Sequence, residues 1–155
     1  MEVQTAIVLA AHPFLAVFVI YSIYTQYGHK KRRRELRGEV AMNAVKVHQK
    51  KGVIIYRLAV GVTLIGITVN TLLGVQNNEG ILSILPSTPH GVFGLIGIIL
   101  LTYTVKRGKD IQTAREKKMS SAQVLKQHGR ASDILMLLIA IHAFLGFIYL
   151  FQILS

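Results

Sequence analysis

Histidines are the side chains in this 155-residue chain best suited to chemistry, because six are present and there is no cysteine. Five of them are followed at the fourth position by a small residue, which lies on the same helix face one turn further along. Such spacing suits an imidazole that binds the metal of a flat macrocycle, because the macrocycle edge sweeps the neighbouring turn. Helix packing in membranes also favours small residues. The five pairs are His12/Ala16, His48/Gly52, His90/Gly94, His128/Ser132 and His142/Gly146.

Several other chemistries are excluded by composition. Without cysteine the chain cannot form disulfides, iron–sulfur clusters, thiolate zinc sites or the covalent haem attachment of a C-x-x-C-H motif. The sequence also lacks a nucleophile–base constellation, a phosphate-binding loop and a dinucleotide fingerprint, so a stand-alone soluble enzyme is not expected. The sixth histidine, His29, adjoins a run of lysine and arginine and is expected in solvent.

Four apolar runs dominate the chain and predict its architecture. Each is near the roughly 20 residues that cross about 30 Å of hydrocarbon. The first run has no basic segment before it, so a signal peptide is not expected. We therefore predict an all-α, integral membrane four-helix bundle that forms one domain, 1–155. The spans are about 3–27, 53–73, 90–105 and 134–154, joined on one side by basic loops 28–51 and 106–130.

The positive charge predicts how the bundle is oriented. Of 18 lysines and arginines, nine lie in 28–51 and eight in 106–130, which gives most of the net charge of +11. By the positive-inside rule both basic loops lie on the cytoplasmic side, or its equivalent in an internal membrane, and both termini lie on the other side. This placement indicates contact with anionic lipid rather than with nucleic acid.

The depth of the histidines predicts how they pair. His12 and His90 lie on the outer side of spans one and three, and His48 and His128 lie at the inner edge of spans two and four. Ser87 or Thr88 can cap the helix that carries His90, with Pro89 in its first turn. Diagonal helices of a four-helix bundle face one another across the core.

Two bis-histidine iron sites, one near each membrane face, follow from this arrangement. Gly52 and Gly94 would leave room for the cofactor edges, and inner cations would neutralise haem propionates; these cations are Lys46, Lys50, Lys51, Lys126 and Arg130. The positive-inside rule explains the same cations without a cofactor. His142, deeper in span four, is an alternative to His128 as the ligand on that span, or else it packs in the core.

Short motifs across nearly the whole chain resemble the four-helix core of cytochrome b561. The order and sidedness of the histidines match, and the similarity is greatest to small b561-like membrane proteins of cyanobacteria and plastids. The matching stretches are Ala11-His12-Pro13-Phe14-Leu15, His48 at the start of span two, His90-Gly91-Val92-Phe93-Gly94-Leu95-Ile96, and Lys126-Gln127-His128 before span four.

The resemblance implies electron transfer through two non-covalent b-type haems, with His12 paired to His90 and His48 paired to His128. It implies a bacterial inner membrane or a thylakoid membrane, an electron donor and acceptor that the sequence does not name, and a homodimer or a larger membrane complex. No recognisable ascorbate or ferric-chelate site is present, so a reductase substrate is not carried over.

Two other functions fit parts of the sequence. An accessory subunit of a larger, for example photosynthetic, membrane complex would use single histidines to hold chlorophyll, or would bind nothing. A small transporter or proton path would use His142 and Asp133, but the spans contain few other polar groups and no paired carboxylates. Haem ligation alone explains why the histidines pair by depth.

Overall fold

The computed structural model describes residues 3–33, 35–76 and 84–154, and these are helical almost throughout. The predicted all-α class is therefore confirmed. Four of the helices are long and one is a short segment after the first. They are α1 (Val3–Tyr27), α2 (His29–Arg33), α3 (Gly38–Gln76), α4 (Pro89–Glu116) and α5 (Ala122–Leu154).

The basic segments that join the predicted spans, 28–51 and 106–130, are mostly helical. Helix α3 already begins at Gly38, α4 continues to Glu116, and α5 begins at Ala122, so the apolar spans extend beyond the predicted hydrocarbon region. Lysine, arginine, glutamate and glutamine have high helix propensity, and neither segment contains proline to stop the helix. Rigid helices therefore carry the cations.

The start of α4 is fixed by local sequence, as predicted. Thr88 is the N-cap, and its hydroxyl oxygen accepts a hydrogen bond from the backbone N–H of Gly91 at 3.2 Å. Pro89 occupies the first turn, where a missing N–H has no cost. This cap places His90 one residue inside the helix and close to one end of the bundle.

The four long helices form a closed ring in which each helix packs against two others. Helix α3 packs against α1 on one side and α4 on the other, and α5 packs against α4 and, more lightly, against α1. Among the described residues the diagonal pairs, α1 with α4 and α3 with α5, have no close backbone contact. Side chains that meet across a diagonal must therefore bridge the central space.

An apolar layer occupies the middle of this ring. Each long helix contributes one side chain to it, and the four are the buried cluster Val19, Ala59, Leu101 and Leu135. Their exposed fractions are only 4 to 7%. The layer separates the two ends of the bundle: on α5, Leu135 lies seven residues from His128 on one side and seven residues from His142 on the other.

Within the described part of the chain, three helices are long and apolar enough to cross a membrane, namely Gly38–Val75, Pro89–Glu116 and Ala122–Gln152. Large apolar side chains on the outside of the bundle, such as Phe144 at 65% exposure, are those expected to face lipid. Membrane association is thus supported. The side chains of residues 3–10 lie outside the described part of the chain, so the span predicted at about 3–27 stays a prediction.

Candidate functional site

The four expected histidines meet in two diagonal pairs. We call His12 on α1 with His90 on α4 the outer pair, and His48 on α3 with His128 on α5 the inner pair. The ring centroids are 6.0 Å apart in the outer pair and 6.3 Å in the inner pair, and the planes cross at 84° in both. The same arrangement therefore occurs twice, once near each end of the bundle.

Main-chain carbonyls of adjacent helices orient these rings. His12 Nδ1 lies 3.1 Å from the carbonyl oxygen of Val62, and His128 Nδ1 lies 3.0 Å from that of Thr104. His90 Nδ1 lies 3.1 Å from the carbonyl oxygen of residue 142. A carbonyl can only accept, so Nδ1 must carry the proton and Nε2 keeps its lone pair. A neutral imidazole held in this way is the usual form of a metal ligand.

A glycine one turn beyond each of these carbonyls explains how the imidazole reaches it. Because Cα–Cβ bonds tilt towards the helix N-terminus, the side chain at the fourth position after a residue covers that residue's carbonyl. Where that position is glycine, a facing polar side chain can approach. The ring of His12 lies against Gly66, four residues after Val62, and the ring of His128 lies against Gly108, four residues after Thr104. The ring of His90 lies against Gly146, four residues after His142, and the ring of His142 lies against Gly94, four residues after His90.

A glutamine makes the fifth contact of this kind. Gln26 on α1 donates its amide N–H to the carbonyl oxygen of His48, and its nitrogen would lie 3.3 Å from a Cβ at Gly52. The small residues that follow His48, His90 and His142 thus receive polar side chains from neighbouring helices. The sequence predicts that Gly52 and Gly94 leave room for a macrocycle. For those two glycines this stays a prediction.

His142 lies beside the outer pair, away from the inner pair. Its ring stacks on His90, with centroids 4.0 Å apart and planes 17° apart, and its Nδ1 donates to the carbonyl oxygen of His90 at 3.1 Å. The alternative in which His142 replaces His128 is not favoured, because His128 is the span-four imidazole that faces His48. Fourteen residues separate His142 from His128 on one helix, which is about 21 Å.

His29 is a site residue that sequence reasoning missed. We expected it in solvent, but its ring is partly buried and stacks on His48, with centroids 4.3 Å apart and planes 20° apart. Helix α2 follows α1 almost directly, because the backbone N–H groups of Gly28 and Arg32 donate to the carbonyls of Tyr24 and Gly28 as they would within one helix. His29 lies on this extension beside the inner pair, and the lysine–arginine run that follows it conceals this contact in the sequence.

A cavity of about 520 Å³ surrounds the inner pair. This volume lies within the roughly 300–1,000 Å³ typical of cofactor sites. All five helices contribute to its walls, and these walls are mainly apolar on the side of the central apolar layer. The glycines Gly52 and Gly108 widen it, and His48, His128 and His29 are the imidazoles in its lining.

The cations at this cavity differ from those expected. Lys109 and Arg115 on α4 line the cavity, whereas Lys50 and Lys51 lie outside its lining; all four residues are exposed. Arg130 borders a separate surface depression together with Lys126 and Asp133. The expected cations belong to the same basic segments, but they point away because helix rotation, not charge density, decides which side chains face the core.

Larger ligand clusters do not occur in residues 3–33, 35–76 and 84–154, which contain no group of three or more histidine, cysteine, aspartate or glutamate side chains arranged for a metal ion. A zinc site with three or four protein ligands is therefore not available in this part of the chain.

Comparison with known proteins gives no further constraint. The chain matches no protein-family model, and comparisons with curated proteins and with solved structures found no match. The resemblance to cytochrome b561 stays a prediction from short motifs. Function has to be argued from the paired imidazoles, the cavity and the charges.

The glycine contacts predict a position-specific effect on stability. A Cβ at Gly66 would stand 2.8 Å from Cε1 of His12, whereas a Cβ at Gly61 on the same helix meets nothing within 4 Å. We expect Gly66→Ala to destabilise the bundle by about 1–3 kcal/mol, because the imidazole must move away from its carbonyl. Gly61→Ala should be neutral or slightly stabilising.

Reversible unfolding in mixed micelles, with increasing denaturing detergent, measures this difference. Equal stability of the two variants would show that the imidazole of His12 is not held against α3 as described.

Proposed function

We propose that this chain is a membrane electron carrier that binds two b-type haems, one in the outer pair and one in the inner pair. The observation that carries the proposal is the repeated geometry of the imidazoles. Two imidazoles that share one metal, each with its nitrogen about 2.0–2.1 Å away, have ring centroids about 6–6.5 Å apart. The centroids of the two diagonal pairs are 6.0 and 6.3 Å apart.

An edge-to-face contact of two imidazoles has a similar centroid distance. Two further features support ligation over simple contact. The rings of His12, His90 and His128 are fixed through Nδ1, which leaves Nε2 as the metal-binding nitrogen. Each pair also joins diagonal helices whose backbones are not in close contact, and around the inner pair a cavity of about 520 Å³ lies between them.

The residues around the inner pair fit a haem. The cavity is apolar where a porphyrin face would lie, and Lys109 and Arg115 line it at the end of α4 that carries the basic segment. Cations at that end would pair with propionate carboxylates through charge-assisted hydrogen bonds. Gly52 and Gly108 belong to the lining, and the lack of a Cβ there lets Gln26 and His128 approach the main chains of α3 and α4.

Outer-sphere electron transfer is the chemistry that fits this ligand set. A bound b-type haem would supply one-electron redox chemistry, and two imidazole ligands leave no coordination position for oxygen or a substrate. The chain's own residues hold the imidazoles in one orientation and exclude water with the apolar layer around Leu101. The two levels of imidazoles lie about 21 Å apart along α5, most of the way across a membrane.

The orientation in the membrane belongs to the same proposal. We infer that all four long helices span the bilayer, with the basic segments on the cytoplasmic side of a bacterial inner membrane, or the corresponding side of a thylakoid membrane, and both termini opposite. The inner pair then lies next to the compartment that contains soluble electron donors or acceptors, and a homodimer or larger complex is compatible with the exposed apolar surface.

Optical spectra test the haem proposal. The reduced-minus-oxidised spectrum of the purified chain should contain a b-type α-band, and His12→Ala, His48→Ala or His128→Ala should each remove about half of it, because each removes one axial ligand of one site. His29→Ala, which removes a cavity imidazole that is not a ligand, serves as the control and should keep the full band.

A chain without this band, or one that keeps all of it in His12→Ala and His48→Ala, rejects the proposal. Extracted chlorophyll in place of haem would favour the pigment-binding alternative.

The cavity cations predict which charges retain the inner haem. We expect Lys109→Gln and Arg115→Gln each to speed haem loss about two- to fivefold, because an ion pair at these exposed positions contributes about 0.5–1 kcal/mol. Lys50→Gln and Lys51→Gln are matched controls, since these exposed lysines lie outside the cavity lining. Transfer of haem to excess apomyoglobin measures the rate. Equal rates in all four variants would place the propionates elsewhere.

The orientation is testable because the chain has no cysteine of its own. Ser87 precedes α4 and Lys118 lies between α4 and α5, and both are exposed. A membrane-impermeant maleimide added to intact cells should label Ser87→Cys, and it should label Lys118→Cys only after permeabilisation. The opposite pattern would mean that the basic segments face outwards.

A further inference from the structure

The outer pair has a third imidazole beside it, arranged with unusual symmetry. His90 on α4 and His142 on α5 are related reciprocally: each Nδ1 donates to the main-chain carbonyl of the other at 3.1 Å. Each ring also lies over the glycine four residues after the other histidine. A Cβ at Gly146 would be 2.7 Å from Cε1 of His90, and a Cβ at Gly94 would be 3.0 Å from Cε1 of His142.

Both imidazoles are therefore prepared in the same way for metal binding. In each, the carbonyl partner fixes the proton on Nδ1 and leaves the lone pair on Nε2. The two rings are stacked with centroids only 4.0 Å apart, and His90 faces His12 at 6.0 Å. His142 is therefore the imidazole stacked directly on the one that faces His12.

The anchors of the two rings are independent of each other's side chains. His142 is held by the main-chain carbonyl of residue 90 and by the space at Gly94, and neither is lost when the side chain of His90 is replaced. The same holds for His90 when His142 is replaced.

We propose that His142 is a second axial ligand for the outer site, so that either His90 or His142 completes the pair with His12. This inference rests on the proposed haem function. It assigns His142 to the outer site. This assignment replaces the alternative in which His142 takes the place of His128 as a ligand. The outer haem would then tolerate loss of one ligand, which the inner haem would not.

Haem stoichiometry tests this in the full-length purified chain. The variants are His90→Phe, His142→Phe and the double variant, since phenylalanine keeps an aromatic ring over the facing glycine but has no nitrogen. We expect two haems per chain in the unsubstituted protein and in both single variants, with low-spin ferric resonances in the electron paramagnetic spectrum. The double variant should bind one haem, and His12→Phe, the control, should also bind one.

A fall to one haem in His90→Phe overturns the inference while leaving the haem function intact, because the retained inner haem reports a folded bundle. If His90→Phe binds no haem, His90→Ala decides: two haems support the inference, and one or none overturns it. An unsubstituted chain without haem instead rejects the proposed function, and this inference with it.

Discussion

The rest of this bundle depends on one repeated interaction. A polar side chain of one helix contacts a main-chain carbonyl of the neighbouring helix, and it passes over a glycine one turn beyond that carbonyl. It occurs five times, with four imidazoles and one glutamine as donors. A membrane provides little hydrophobic driving force between helices, so close packing at small residues and interhelical hydrogen bonds must hold them together. Here the same contacts also decide the direction of each ring.

This constraint joins the stability of the fold to its chemistry. Nδ1 is used for holding helices together, so Nε2 of the same ring remains available for a metal. The adjacent helix pairs α1 with α3 and α4 with α5 are each joined by such contacts, whereas the diagonal imidazoles meet across the central space. The apolar layer then keeps the two ends of the bundle apart and dry.

Much of this arrangement could be predicted from the sequence. The apolar runs gave the helical class, Thr88 and Pro89 marked the start of α4, and the depths of the histidines predicted which ones would meet. These features depend on local sequence or on position along a helix, both of which a single chain displays directly.

Other features depend on how helices rotate and face one another. The spacing of His90 and Gly94 was visible, but not that Gly94 would receive the ring of a histidine on α5. Likewise, Lys109 and Arg115 could not be chosen over Lys50 and Lys51, because all four belong to basic segments. The stacking of His29 on His48 could not be predicted either, because the lysine–arginine run after His29 is typical of a segment in solvent.

The most direct test of the central claim is an experimental density map of the protein purified from membranes without added cofactor. The account predicts a planar macrocycle with a central metal between His12 and His90, or between His12 and His142, and another between His48 and His128. Imidazoles in direct edge-to-face contact at both levels, with no density between them, would contradict it.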